Sequence, residues 1–175
     1  SLEWSADGKT LYTVADDLGQ SRVFALDVAS GKVKALTQDG TVAGFVLSNK
    51  GLVVAHHTLS KPVDLYRVEH GALSPLTHHN AEKLAALQFG AYEQFSFKGW
   101  NDETVYGYVV KPAQYKKGKK YPVAFIVHGG PQGSMGNDFH YRWNPQTYAG
   151  AGYAVVFIDF HGSTGYGQAF TDSIS

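Results

Sequence analysis

His128-Gly129-Gly130-Pro131 closes an apolar run, and its residue types suit acyl-transfer chemistry. Two adjacent glycines let a backbone turn sharply and leave main-chain N–H groups open to a ligand. Such groups just past a sheet strand are what a developing oxyanion requires, because they meet the negative charge without having to reorient. Gly129 and Gly130 are therefore the candidate catalytic residues, acting through their backbone. A tight turn whose glycines serve only sterics is the alternative reading of the same residues.

A nucleophile is harder to find. The elbow that exposes a hydrolase serine needs glycine two positions before and two after it. Ser134 has Gln132 and Gly136 at those places, and Ser163 has His161 and Gly165, so neither qualifies. In a hydrolase sheet the order is serine, acid, histidine, with the serine after the next helix. The sequence thus predicts that all three lie beyond Ser175, and that Asp159 and His161 hold no triad place. Gly162-Ser163-Thr164-Gly165-Tyr166-Gly167 departs from G-x-G-x-x-G, and no phosphate-cradling G-x-x-x-x-G-K-[ST] occurs. His56-His57 and His78-His79 lack a third partner at fixed spacing and read as solvated turn histidines. Lys116-Lys117-Gly118-Lys119-Lys120 reads as a solvated basic turn. No metal and no cofactor is expected.

The elements that must position the glycines follow from pattern. Val123 to Val127 is a run of five apolar residues, which suits a strand covered on both faces. Periodicity alone would also allow a buried helix; β-branched content, Pro122 before and Gly129-Gly130 after favour strand. Asn144-Pro145 predicts a helix start, with Asn capping, Pro at the first position and Gly150 or Gly152 as the stop. Tyr153 to Phe160 reads as a second buried strand, so strand, turn, helix and strand form a parallel crossover. Upstream, Glu93–Lys98 and Thr104–Val110 read as a hairpin around Gly99–Glu103.

The first half has a different grammar of short strands and turns. Forty positions separate Gly31 from Gly71, and Leu36-Thr37 from Leu76-Thr77. A period near 40 residues with four short strands per unit is the signature of propeller blades, and a β-sandwich is the alternative. Two blades alone would leave sheet edges open, so further blades are expected before Ser1. Ala81 to Leu87 reads as one helical turn linking two domains.

Composition narrows the classes. Fifteen basic and fifteen acidic residues cancel, so no global field recruits nucleic acid or an anionic membrane. There is no Cys, which removes disulfide and thiolate chemistry from consideration. No apolar run approaches the ~20 residues of a membrane span.

Taken together, the repeats, Val127-His128-Gly129-Gly130-Pro131-Gln132-Gly133-Ser134, Arg142-Trp143-Asn144-Pro145 and Gly162-Ser163-Thr164-Gly165-Tyr166-Gly167-Gln168 resemble the prolyl oligopeptidase family. The similarity is to its dipeptidyl-peptidase V and acylaminoacyl-peptidase branch and spans about Tyr121 to Ser173. The resemblance implies β-propeller blades over residues 1–85. Residues 86–175 would be the N-terminal part of an α/β-hydrolase domain, with the chain incomplete at both ends. It implies a serine exopeptidase that releases dipeptides through an acyl-enzyme, with the N–H near Gly130 donating to the oxyanion and Gly129 shaping the turn. An acylaminoacyl-releasing peptidase or esterase, or a propeller binding module without catalysis, are the alternatives. The expected partners are a peptide substrate and the remainder of the protein, and a homodimer is one assembly the resemblance allows. It suits a periplasmic or secreted location.

Overall fold

The computed structural model describes residues 2–174. Its first part is two antiparallel meanders of four strands each. One comprises β1 (Leu2–Trp4), β2 (Thr10–Asp17), β3 (Gln20–Asp27) and β4 (Val33–Ala35). The other comprises β5 (Thr41–Ser48), β6 (Gly51–Thr58), β7 (Lys61–Glu69) and β8 (Ala72–Pro75). Among the described residues, the meanders touch as sheet only where Ser21 of β3 pairs in parallel with Thr41 of β5. The 40-residue spacing has a conformational cause: Gly31 and Gly71 occupy equivalent turns with φ of 69° and 83°, where a side chain would be strained.

Each meander buries one face against the other. Val23 of β3 packs with Val42 and Phe45 of β5 and with Leu52 and Val54 of β6, all at most 8% exposed. Burying such side chains is worth roughly 1.5–3 kcal/mol each, which offsets the small hydrogen-bonded contact between the meanders.

The second part is a four-stranded mixed sheet. After the short helix α1 (Ala81–Ala85) come β9 (Tyr92–Lys98), β10 (Thr104–Val110), β11 (Val123–Ile126) and β12 (Ala154–Asp159). They lie in the order β9-β10-β12-β11. β11 and β12 are parallel and joined through α2 (Pro145–Gly150), whereas β10 runs antiparallel to both of its neighbours, β9 and β12. A last helix, α3, covers Gln168–Asp172. Asn144 caps α2 as expected, its Oδ1 accepting the Gln146 N–H at 2.9 Å. Tyr108, Val110, Val155, Phe157 and Ala149 form the core here, and Leu59, from the β6–β7 turn, completes it from the meander side.

The structure holds two strands that no sequence pattern marked, and it departs from the sequence expectation in two places. β1 has only three residues, and two of them, Leu2 and Trp4, are exposed. The alternation of β5 is broken by Gly44 and a register shift between Val42 and Gly44; neither strand was legible. His56 and His57 are not solvated turn residues. They lie in β6 and are 7% exposed, with His56 Nε2 at 2.7 Å from the Asp39 carbonyl and His57 Nδ1 at 3.0 Å from the Phe139 N–H nitrogen. Finally, the Val123–Val127 strand is not covered on both faces: Ala124 and Ile126 pack on the core, but Val123, Phe125 and Val127 are more than half exposed. Its outer edge has no strand partner among the described residues.

Candidate active site

The chain leaves the sheet at Ile126 and turns at His128-Gly129-Gly130. His128 Nδ1 lies 2.8 Å from the Gly129 carbonyl, and a carbonyl only accepts, so this nitrogen carries the proton. Nε2 is then free to accept from Ser163 Oγ at 3.0 Å, while the ring stacks on Phe160 with centroids 4.4 Å apart. Holding the Gly129 carbonyl sets the whole peptide plane. Because the N–H of a trans peptide points opposite to its C=O, the Gly130 amide is directed away from the imidazole. Gly129 and Gly130 are exposed, and among the described residues no acceptor sits on either N–H. Gly130 has φ 140°, and a Cβ there would stand 2.9 Å from the Gln132 nitrogen, so glycine is required. The following peptide bond, Gly130–Pro131, is cis.

Beneath the turn lies Asp159, the last residue of β12 and 4% exposed. It accepts from Ser134 Oγ at 2.5 Å, the Met135 N–H at 3.0 Å and Tyr166 Oη at 2.6 Å. Burial, with this carboxylate alongside, holds the Tyr166 phenol well above its ordinary value, so the hydroxyl stays a donor. The glycine loop 162–167 is thus a packing device. Thr164 N–H donates to the Gly133 carbonyl at 3.0 Å, Thr164 Oγ1 to Asp16 at 2.6 Å, and the Gly165 carbonyl accepts from Leu18.

Ser163, His128 and Asp159 imitate a catalytic triad without being one. A triad places serine and carboxylate on opposite imidazole nitrogens. Here both face Nε2, Ser163 at 3.0 Å and Asp159 at 3.5 Å, and Ser163 is 0% exposed. Among the described residues no exposed serine pairs with an imidazole held by a carboxylate on its other nitrogen.

Past the turn, the following loop is anchored on the meanders by Asn137. Neither Asn137 nor His128 was assigned a role from sequence, and Asp159 was set aside by chain order. The one available signal was a carboxylate closing the apolar run of β12, since a buried acid needs donors. A cleft of about 560 Å³ opens beside the turn, lined by Leu59, Phe125, His128, Gly129, Met135 and Trp143 among others.

Comparison with known proteins finds similarity over nearly the whole chain. Residues 139–175 match the sequence model described as "Prolyl oligopeptidase family". Over 183 aligned residues the chain is 37% identical to a probable dipeptidyl-peptidase 5 of Aspergillus clavatus, covering 99% of this chain and 25% of that protein. Dipeptidyl-peptidase 5 of Schizosaccharomyces pombe is 34% identical over 181 residues, covering 100% of this chain and 26% of the relative. Among solved structures, an acylaminoacyl peptidase in complex with Z-Gly-Gly-Phe-chloromethyl ketone superimposes with a TM-score of 0.81 at 27% identity. That superposition spans 97% of this chain and 26% of the other. Porphyromonas gingivalis dipeptidyl peptidase 4 shares the fold at a TM-score of 0.70 and 20% identity, over 99% of this chain and 26% of that one. The chain spans about a quarter of the length of the curated relatives it matches.

Proposed function

With this chain placed in the prolyl oligopeptidase family by its sequence and its fold, we propose that it supplies the oxyanion turn of a serine exopeptidase that releases dipeptides from peptide N-termini. The observation that carries the reading is the exposed, acceptor-free Gly130 amide at the end of a parallel strand. Residues 1–85 are read as two propeller blades and 86–175 as the start of the hydrolase domain. In the order β9-β10-β12-β11 the open edge of β11 is where the next parallel strand pairs. A serine elbow at the end of that strand stands beside Gly130.

The chemistry then runs as acyl transfer. The serine oxygen bonds to the scissile carbonyl carbon as its proton passes to a histidine. The carbonyl oxygen takes the negative charge and receives the Gly130 N–H, together with the N–H following the nucleophile. Collapse expels the amine with that proton and leaves the dipeptide on serine for water to release. One such donor contributes about 3 kcal/mol to lowering the barrier. The meanders screen substrates by size and hold the peptide N-terminus.

The test compares the intact parent protein with the isolated 175-residue chain on a dipeptidyl chromogenic substrate and a serine-directed phosphonate. The parent turns over and is labelled; the chain does neither. Turnover by the chain alone contradicts the reading. The superposition on an acylaminoacyl peptidase favours one rival, release of acylated residues. Substrates with blocked against free N-termini separate the two.

A further inference from the structure

We infer that Asp159 is a positioning residue for the oxyanion turn, locking its far end through Ser134 and Met135 while His128 locks its near end. The inference deepens the peptidase reading above and rests on it. Three observations carry it. Asp159 is buried at the end of β12, directly beside β11, from whose end the turn departs. Its two oxygens accept from both glycine loops: Ser134 Oγ at 2.5 Å and Met135 N–H at 3.0 Å from the first, Tyr166 Oη at 2.6 Å from the second. The loops are cross-tied again by Ser163 Oγ to His128 and by Thr164 N–H to the Gly133 carbonyl.

Between His128 and Ser134 the turn holds three glycines, Gly129, Gly130 and Gly133, so that within it only the ring of Pro131 fixes a backbone angle. Its amide direction is therefore set by the two clamps. An oxyanion donor works because it is aimed before the charge develops, and a misplacement near 1 Å costs on the order of 10²-fold in rate. Asp159 touches no substrate in this scheme; it acts through the loop.

The experiment uses the intact parent protein with Asp159→Asn, Ser134→Ala and Tyr166→Phe. Asparagine keeps the shape but offers one acceptor oxygen in place of two. Asp159→Asn is expected to lower kcat by roughly 10- to 100-fold with KM within about threefold, and Ser134→Ala by roughly three- to tenfold. A dipeptidyl boronate, whose tetrahedral adduct occupies the oxyanion position, should lose affinity in step with kcat, whereas the dipeptide product should not. A merely structural role would weaken both ligands alike. Should Asp159→Asn not fold, Ser134→Ala, which removes one hydroxyl, and Tyr166→Phe carry the same comparison. Wild-type kcat and boronate affinity in the folded variants overturn the inference. A wild-type parent that turns over no dipeptidyl substrate and takes no phosphonate overturns the peptidase reading, and this inference with it.

Discussion

Asn137 donates its side-chain amide to Gln20 Oε1 at 3.2 Å, bridging the loop beyond the Gly129-Gly130 turn to the first meander. Its backbone N–H donates to the Gly19 carbonyl at 2.8 Å, its carbonyl accepts from Thr41 Oγ1, and its Oδ1 accepts the Leu59 N–H. All its polar groups are thus satisfied by the β-meanders, at 2% exposure. Tyr108 reinforces the joint from the mixed sheet, its hydroxyl bonded to Gln20 and the Gly19 carbonyl.

Asn137→Ala should therefore destabilise the chain by about 1–3 kcal/mol, because the buried Leu59 N–H loses its acceptor. Urea unfolding reads the change directly. A shift below about 0.5 kcal/mol would show that the joint contributes little.

Leu59 makes the same joint from apolar atoms, being 1% exposed within the mixed-sheet core. Leu59→Ala should cost about 2–5 kcal/mol through lost transfer energy and a residual cavity. Val46→Ala, at a β5 position 55% exposed, should stay within about 0.5 kcal/mol. Equal effects at the two sites would refute the placement of Leu59.

Gly130→Ala tests the turn itself. The new Cβ meets the Gln132 nitrogen at a φ that L side chains avoid, so the amide must swing. We expect kcat of the intact parent to fall about 100-fold with little change in KM. Wild-type kcat in this variant removes Gly130 from the oxyanion role.

A pH dependence follows from His56. Burial holds its imidazole below the ordinary 6.5, outweighing the opposing hydrogen bond to the Asp39 carbonyl. The unfolded chain binds the proton more readily, so this contribution is complete above the unfolded value and is lost as pH falls through the folded one. Urea midpoints should drop from about pH 7 to about pH 5, and His56→Gln should flatten that drop. Parallel slopes in the two proteins would count against the assignment.

Much of the local structure was legible. Thr104–Val110 alternates and forms β10 over those same residues, and Asn144-Pro145 caps α2 where the dipeptide occurs. What escaped was whatever depends on neighbours. Phe125 sits in an unbroken apolar run yet is 55% exposed, because composition reports that a strand forms and not which face is covered. His56-His57 looked solvated as a polar pair and is buried because the carbonyl of Asp39 and the loop around Phe139 close over it.

By itself the sequence determined the strand periods, the turns at Gly31 and Gly71, and the glycine turn after β11, since these rest on φ/ψ preference and apolar spacing within a few residues. Only the tertiary structure decided which groups meet across the chain. Ser163 was brought onto the wrong nitrogen of His128 for catalysis, Asp159 under the turn, and Asn137 into the meanders. Those contacts join residues 24 to 118 positions apart along the chain, and a hydrogen bond between them depends on where whole strands settle, which no local preference encodes.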